Sequence, residues 1–199
     1  VGIENSIEGA VTVTVDALAF ETDLLIQREV VLGVQMNLLA PSGVGLGDIR
    51  RVLSMPVATA QCRRFLHREL PAVESVAVGS TAEAARVVAG EHDGHTAAIA
   101  PAVAAKLYGL DVLATDIEDH PDNATRFVVV SQEGIPTPTG HDKTSIVVFQ
   151  QANRPGSLLA ILQEFAARAI DLTKLESRPT KKGLGDYCFV IDLEGHVGE

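Results

Sequence analysis

Short apolar, β-branched runs alternate with alanine-rich stretches of helical period along most of this chain, the pattern of an α/β fold. Val1–Glu4 reads as the tail of a strand, Val11–Phe20 as a helix, and Leu24–Leu39 as extended chain broken at Gly33. Arg51–Ser54 is a short strand. Met55–Leu70 reads as one amphipathic helix with Pro56 in its first turn, where a missing N–H costs nothing. Val73–Val78 is a strand, and Ser80–Ala89 a helix with a capping box, Ser80 and Glu83, and Gly90 as its stop. Ala97–Ala100, Ala102–Tyr108 and Val112–Thr115 follow as strand, helix and strand, and Thr125–Val130 is apolar enough for a buried sheet.

The periodicity then lapses. Glu133–Asp142 holds two prolines and two glycines and reads as a linker, which divides the chain into 1–132, a connecting segment 133–142, and 143–199. Beyond it come a strand (Thr144–Gln150), a helix opening at Pro155 and two further strands, the last of which, Tyr187–Leu193, alternates cleanly. This β-α-β-β order lacks one helix and one strand of a ferredoxin-like module, so both ends of the sequence are expected to be cut.

Composition narrows the function classes. The 199 residues are 46% hydrophobic and 21% charged, as in ordinary globular proteins. Sixteen basic against 26 acidic side chains give a formal charge of −10, which disfavours nucleic acid and anionic membranes as partners. The best apolar stretch, Ala97–Ala105, is short and carries Pro101, so no membrane span is expected. No secretory leader is visible, and Cys62 and Cys188 stand far apart, which suits two reduced thiols in a cytoplasmic protein. His92 and His95 share a hydrophilic loop without a third ligand, so no metal is expected there, and Gly43, Gly45 and Gly47 precede no phosphate-binding lysine.

Four ordered strings resemble the prephenate dehydratase family: Ile3-Glu4-Asn5-Ser6-Ile7-Glu8-Gly9, Ser54-Met55-Pro56 with Gln61-Cys62, Ser80 through Ala85, and Asn123-Ala124-Thr125-Arg126-Phe127. Pro155-Gly156-Ser157-Leu158 and Glu176-Ser177-Arg178-Pro179 are similar to the effector motifs of that family's ACT domain. Gly2, Met55 and Val57 stand where the family usually has proline, histidine and glutamine. The resemblance implies a two-lobed α/β catalytic domain of the periplasmic-binding-protein kind followed by an α+β ferredoxin-like ACT domain. It implies decarboxylating dehydration of prephenate to phenylpyruvate, with feedback by L-phenylalanine. It also implies that the family's first strand, loop and helix are missing here, so that residues 1–199 alone are expected to turn prephenate over weakly.

Such a reaction needs no cofactor, metal or covalent nucleophile. It needs two anion sites, a donor beside the departing hydroxyl and a dry pocket. Thr125 is the expected donor, because a hydroxyl adds no charge beside two carboxylates; the plain alternative is a β-branched strand residue. Period-2 alternation sets Thr125 and Phe127 on one strand face and Arg126 on the other. Arg126 either meets a substrate carboxylate or buttresses an acidic neighbour such as Asp119. Ser54 and Gln61, seven apart, are expected on one face of the Met55–Leu70 helix as neutral donors, against an N-cap and a solvated amide. The capping box leaves the Thr81 hydroxyl for the cleft. Asn5 and Ser6 are expected to touch substrate, and Glu4 to orient its neighbours.

In the second region the turn of Asn153, Pro155, Gly156, Ser157 and Leu158 is expected to bind the effector, with helix-start N–H groups beyond Pro155 meeting its carboxylate. Glu176, with Ser177 and Arg178 in support, would hold its ammonium from a neighbouring subunit. The partners implied are prephenate, L-phenylalanine and further copies of the chain, as a homodimer or homotetramer through ACT domains. A different class of reading is a two-lobed sensor that binds ligands without chemistry.

Overall fold

The computed structural model describes residues 1–91, 93–150 and 154–198. The chain opens with β1 (Gly2–Asn5) and β2 (Gly9–Ala10), then α1 (Thr12–Asp16), which runs on into a π-helical turn, and β3 (Leu25–Gly33). Next come β4 (Asn37–Ala40), β5 (Arg51–Ser54), α2 (Pro56–Gln61), α3 (Arg63–Glu69), β6 (Glu74–Ala77), α4 (Thr81–Gly90), β7 (Thr96–Ala100), α5 (Ala102–Tyr108), β8 (Asp111–Ala114) and β9 (Ala124–Ser131). The last part holds β10 (Lys143–Phe149), α6 (Ser157–Ala166), β11 (Leu172–Pro179) and β12 (Tyr187–Glu194). Residues 133–142 form no helix or strand.

Two compact units emerge, one of Gly2–Val11 with Val30–Phe127, the other of Val1, Thr12–Glu29 and Val128–Glu199. The first is built on a five-stranded sheet of order β6-β5-β7-β4-β8. β5 runs parallel to β6 and β7, whereas β4 is antiparallel to β7 and β8. Every residue of β4 and β7 is buried. Their alternating side chains serve two cores, as helices on both faces require. Leu38, Ala40, Ala97 and Ile99 join Ala58, Cys62 and Leu66 of the α2–α3 side. Leu39, Ala98 and Ala100 meet Ala84, Ala85 and Val88 of α4 and Ala104 and Ala105 of α5. Alanine on both sides of that second interface lets helix and sheet approach closely.

Residues expected to form one helix from Met55 to Leu70 form two. The chain leaves helical geometry at Cys62 (φ −113°, ψ 19°). Asp119 causes the break: its N–H donates to Gln61 O at 2.6 Å and its carboxylate accepts from Arg64 N–H at 2.9 Å. Asp119 thereby caps the second helix and takes the carbonyl the first would have used. Ser54, expected on a face of that helix, instead ends β5, and the α2 N-cap position belongs to Met55.

A second sheet has the order β2-β1-β9-β3. Thr125–Val130 reads as apolar enough for a buried sheet, but in β9 only Val128 is buried; Val129 stands 51% exposed and Phe127 36%. The third sheet, β10-β12-β11, is antiparallel and lies wholly in the second unit, with Cys188, Phe189, Val190, Ile191 and Asp192 of β12 buried at its centre. Among the described residues no helix is long and apolar enough to cross a membrane.

Candidate functional site

β1 and β9 are antiparallel neighbours, and a bulge between Gly2 and Glu4 fixes which side chains meet: Glu4 lies opposite Arg126 and Asn5 opposite Thr125. Arg126 Nη1 sits 3.4 Å from Glu4 Oε2, with only 14% of the arginine side chain exposed. Glu4 is thus an acidic neighbour of Arg126, and Asp119, expected in that role, is spent on the start of α3.

Asn5 Nδ2 donates to Thr125 Oγ1 at 3.0 Å and to Asn123 Oδ1 at 2.8 Å, with Ala124 O at 3.2 Å. Asn5 Oδ1 accepts from the N–H groups of Ile7 and Glu8. Asn123 Nδ2 donates to Gln61 Oε1 at 3.1 Å, and Gln61 Nε2 to Glu8 Oε1 at 3.3 Å. Ser6 Oγ accepts from Ala124 N–H at 2.9 Å and lies 3.5 Å from Asn123 Oδ1. The break at Cys62 matters here, because it ends α2 on Gln61 and leaves that amide buried beside the β1–β9 pair.

The structure therefore brings together Glu4, Asn5, Ser6, Gln61, Thr125 and Arg126, and adds Asn123 and Glu8. Both lie within strings already singled out, but no role was read for them. Asn123, 2% exposed, follows Pro121 and Asp122 and reads locally as a turn residue; only the fold buries it. Phe127 lies opposite Gly2 in the β1–β9 register. Thr81 begins α4 half-buried, while Ser80 accepts from Glu83 N–H as the N-cap. Ser54 stands apart: fully buried, its hydroxyl donates to Ile99 O at 2.8 Å. Next to Gln61, burial first and the charges of Glu118 and Asp119 second push the Cys62 thiol up to about 12, so it stays protonated.

In the second unit Gly156 is the N-cap of α6 in the left-handed region (φ +85°), where other residues are strained, and a Cβ there would meet open space. Pro155 is exposed, Leu158 half-buried, and Ser157 Oγ donates to Gln150 Oε1 at 2.6 Å. Asn153 lies outside the described residues. Along β11, Lys174, Glu176 and Arg178 share one face and Ser177 points to the other. Glu176 is flanked by Lys174 and Arg178, each at 3.5 Å. Arg178 also reaches Asp16 of α1, which Lys181 meets at 2.9 Å. Arg178 hydrogen bonds hold the Asp16 carboxyl below the usual carboxylate range, with Lys181 adding to the effect.

Among the described residues no cluster of three or more metal-ligating side chains forms. His95 Nδ1–H donates to Asp48 O, and His92 lies outside the described residues.

Known proteins place this geometry in a family. The prephenate dehydratase model matches residues 1–135 and the ACT domain model residues 144–199. A prephenate dehydratase of Mycolicibacterium vanbaalenii is 45% identical over 199 residues, covering 99% of this chain and 62% of the relative. The crystal structure of prephenate dehydratase in complex with L-Phe from Arthrobacter aurescens superposes with a TM-score of 0.89 at 45% identity, covering 98% of this chain and 64% of that one. A structure described as a novel type of quorum quenching acylase superposes at 0.82 with 33% identity, covering 98% of this chain and 70% of that one. The chain spans between half and two-thirds of the length of the curated relatives it matches. It belongs to the prephenate dehydratase family, with an ACT region following the segment that defines that family.

Proposed function

We propose that this chain belongs to a lyase that converts prephenate to phenylpyruvate, CO₂ and water on the way to L-phenylalanine, and that L-phenylalanine regulates it at the ACT region. In the reaction the ring hydroxyl departs with its bonding pair and takes up one proton. The pair released as the carboxylate leaves as CO₂ completes the aromatic ring. One observation carries the reading: Thr125 Oγ1 accepts from Asn5 Nδ2, so its own hydrogen points elsewhere, ready for the departing hydroxyl. A neutral donor avoids a second charge beside a dianionic substrate.

Thr125 is the proposed catalytic residue. Thr81 is assigned to the carboxylates and Phe127 to the ring, while Arg126, on the other strand face and held by Glu4, supports the strand that carries Thr125. Ser6, with Glu4 holding Arg126, frames them. Asn5 and Gln61 have their amides engaged within the protein, so their role is to position rather than to contact substrate. Ser54 belongs to the scaffold. A two-lobed catalytic region of the periplasmic-binding-protein kind over 1–132, a linker at 133–142 and an ACT region over 143–199 complete the proposal. Pairing through ACT regions into a dimer or tetramer, in the cytoplasm, goes with it. Gly156 and its neighbours would receive the effector's carboxylate, and Glu176 its ammonium.

The test is to give prephenate to the full-length protein and follow phenylpyruvate and CO₂ together. Equal amounts of both are expected. Binding without conversion would replace the enzyme by the sensor reading, and conversion to another product would reject the assigned reaction.

A further inference from the structure

Four side chains around Thr125 form a hydrogen-bond chain with one permitted direction. Glu8, as a carboxylate, can only accept, so Gln61 must turn Nε2 toward it and Oε1 away. Gln61 Oε1 then requires a donor, and Asn123 Nδ2 supplies it. At the other end the backbone N–H groups of Ile7 and Glu8 can only donate, so Asn5 must turn Oδ1 to them and Nδ2 away. Asn5 Nδ2 in turn requires acceptors, and Asn123 Oδ1, Thr125 Oγ1 and Ala124 O provide them. The two ends are fixed independently and agree only because residue 123 is a donor on one side and an acceptor on the other.

We infer that Asn123 is a positioning residue: its buried amide joins Glu8 and Gln61 to Asn5 in a single polarity and holds in place the Asn5 amide whose Nδ2 donates to the Thr125 oxygen, which leaves that hydroxyl's hydrogen for the reaction. This rests on the role proposed for Thr125. Substitution by aspartate keeps the shape and reverses one end. The introduced carboxylate would face Gln61 Oε1; flipping Gln61 would only move the clash to Glu8, oxygen against oxygen. An additional Glu8→Gln removes that clash, since a glutamine there can donate to the flipped Gln61. The pair Asn123→Asp with Glu8→Gln has the same formal charge as the original.

The experiment is a double-mutant cycle in the full-length protein, read both by melting temperature and by steady-state kinetics. Asn123→Asp is expected to lower the melting temperature by roughly 5 °C or more. It should cut kcat at least ~10-fold with KM within about threefold, as expected when a reacting group is misoriented. Glu8→Gln alone still accepts through Oε1 and should cost a few-fold at most. The double variant should recover at least half of the loss in each readout. No recovery of melting temperature in the double variant would overturn the chain itself. Recovery of melting temperature without recovery of kcat would overturn its tie to Thr125. If the unmodified protein made no phenylpyruvate yet the melting cycle still coupled, the reaction assigned to the chain would fall and the hydrogen-bond chain would stand. Should Asn123→Asp be too unstable to isolate, a folded double variant would itself support the inference, and an unfolded one would reject it.

Discussion

Arg178 directs both Nε, at 3.1 Å, and Nη2, at 2.5 Å, onto a single oxygen of Asp16, with only 14% of each side chain exposed. One residue belongs to the effector-like motif of β11 and the other to α1, far apart in sequence but in the same unit. Asp16→Asn should destabilise the protein by about 1.5–3 kcal/mol at neutral pH, the range for a hydrogen bond to a charged group. The pH dependence follows from the lowered Asp16 carboxyl. Its stabilisation is fully present above the unfolded value of about 3.9 and is lost as pH falls through the folded one. Melting curves between pH 7 and 3 should therefore converge for the two proteins at the acid end. A gap that stayed constant would remove the ion pair as its cause.

Thr125→Ala should lower kcat by ~10²–10⁴, the range for a positioned proton donor, while Thr125→Ser keeps the hydroxyl and most of the rate. Steady-state kinetics on prephenate decide it. Near-normal turnover by the alanine variant would mean that another group serves the departing hydroxyl.

Ser54→Ala tests the scaffold assignment. Losing the hydroxyl that donates to Ile99 O should cost about 1 kcal/mol, a drop of roughly 2–4 °C in melting temperature. KM for prephenate should hold. A severalfold rise in KM with unchanged stability would return Ser54 to the substrate.

Gly156→Val should abolish the rise in melting temperature caused by L-phenylalanine. The substitution strains a residue at φ +85° and fills the open space before α6. For the original protein the rise at about 100 Kd should correspond to ~2.7 kcal/mol. An undiminished rise in the variant would place the effector elsewhere.

Cys62, fully buried with its thiol pushed up to about 12, should resist iodoacetamide at pH 8 in the native protein and react once it is unfolded. Mass spectrometry of the labelled peptides checks this. Native labelling would show that the α2–α3 junction opens.

Elements whose character is set locally were legible in the sequence. Arg51–Ser54 and Ala102–Tyr108 fall at the boundaries read from period alone, and Ser80 caps α4 as its spacing with Glu83 implies. What escaped depends on residues distant in the chain. Nothing near Cys62 announces a helix break, because the group that makes it is Asp119. Arg126 could be set on a strand face but not given its partner, since the β1 bulge that aligns it with Glu4 lies far away in sequence. The strings around Asn5, Gln61 and Thr125 were recognisable one by one. Their joining through Asn123 exists only after folding.

The antiparallel β4 also sets the order in which the molecule can be made. Leu38 and Leu39, fully buried, pair with Ile99 and Ala98 of β7 and with Ala114 and Val112 of β8. On a ribosome adding about 5–20 residues per second, β4 leaves the exit tunnel about 3–12 seconds before β7. For that interval a strand that ends up buried along its whole length has no partner and presents a sticky edge. The five-stranded sheet thus matures late, when β7 slides between β5 and β4. Nascent chains arrested before β7 should be the form that chaperones hold and that self-associates.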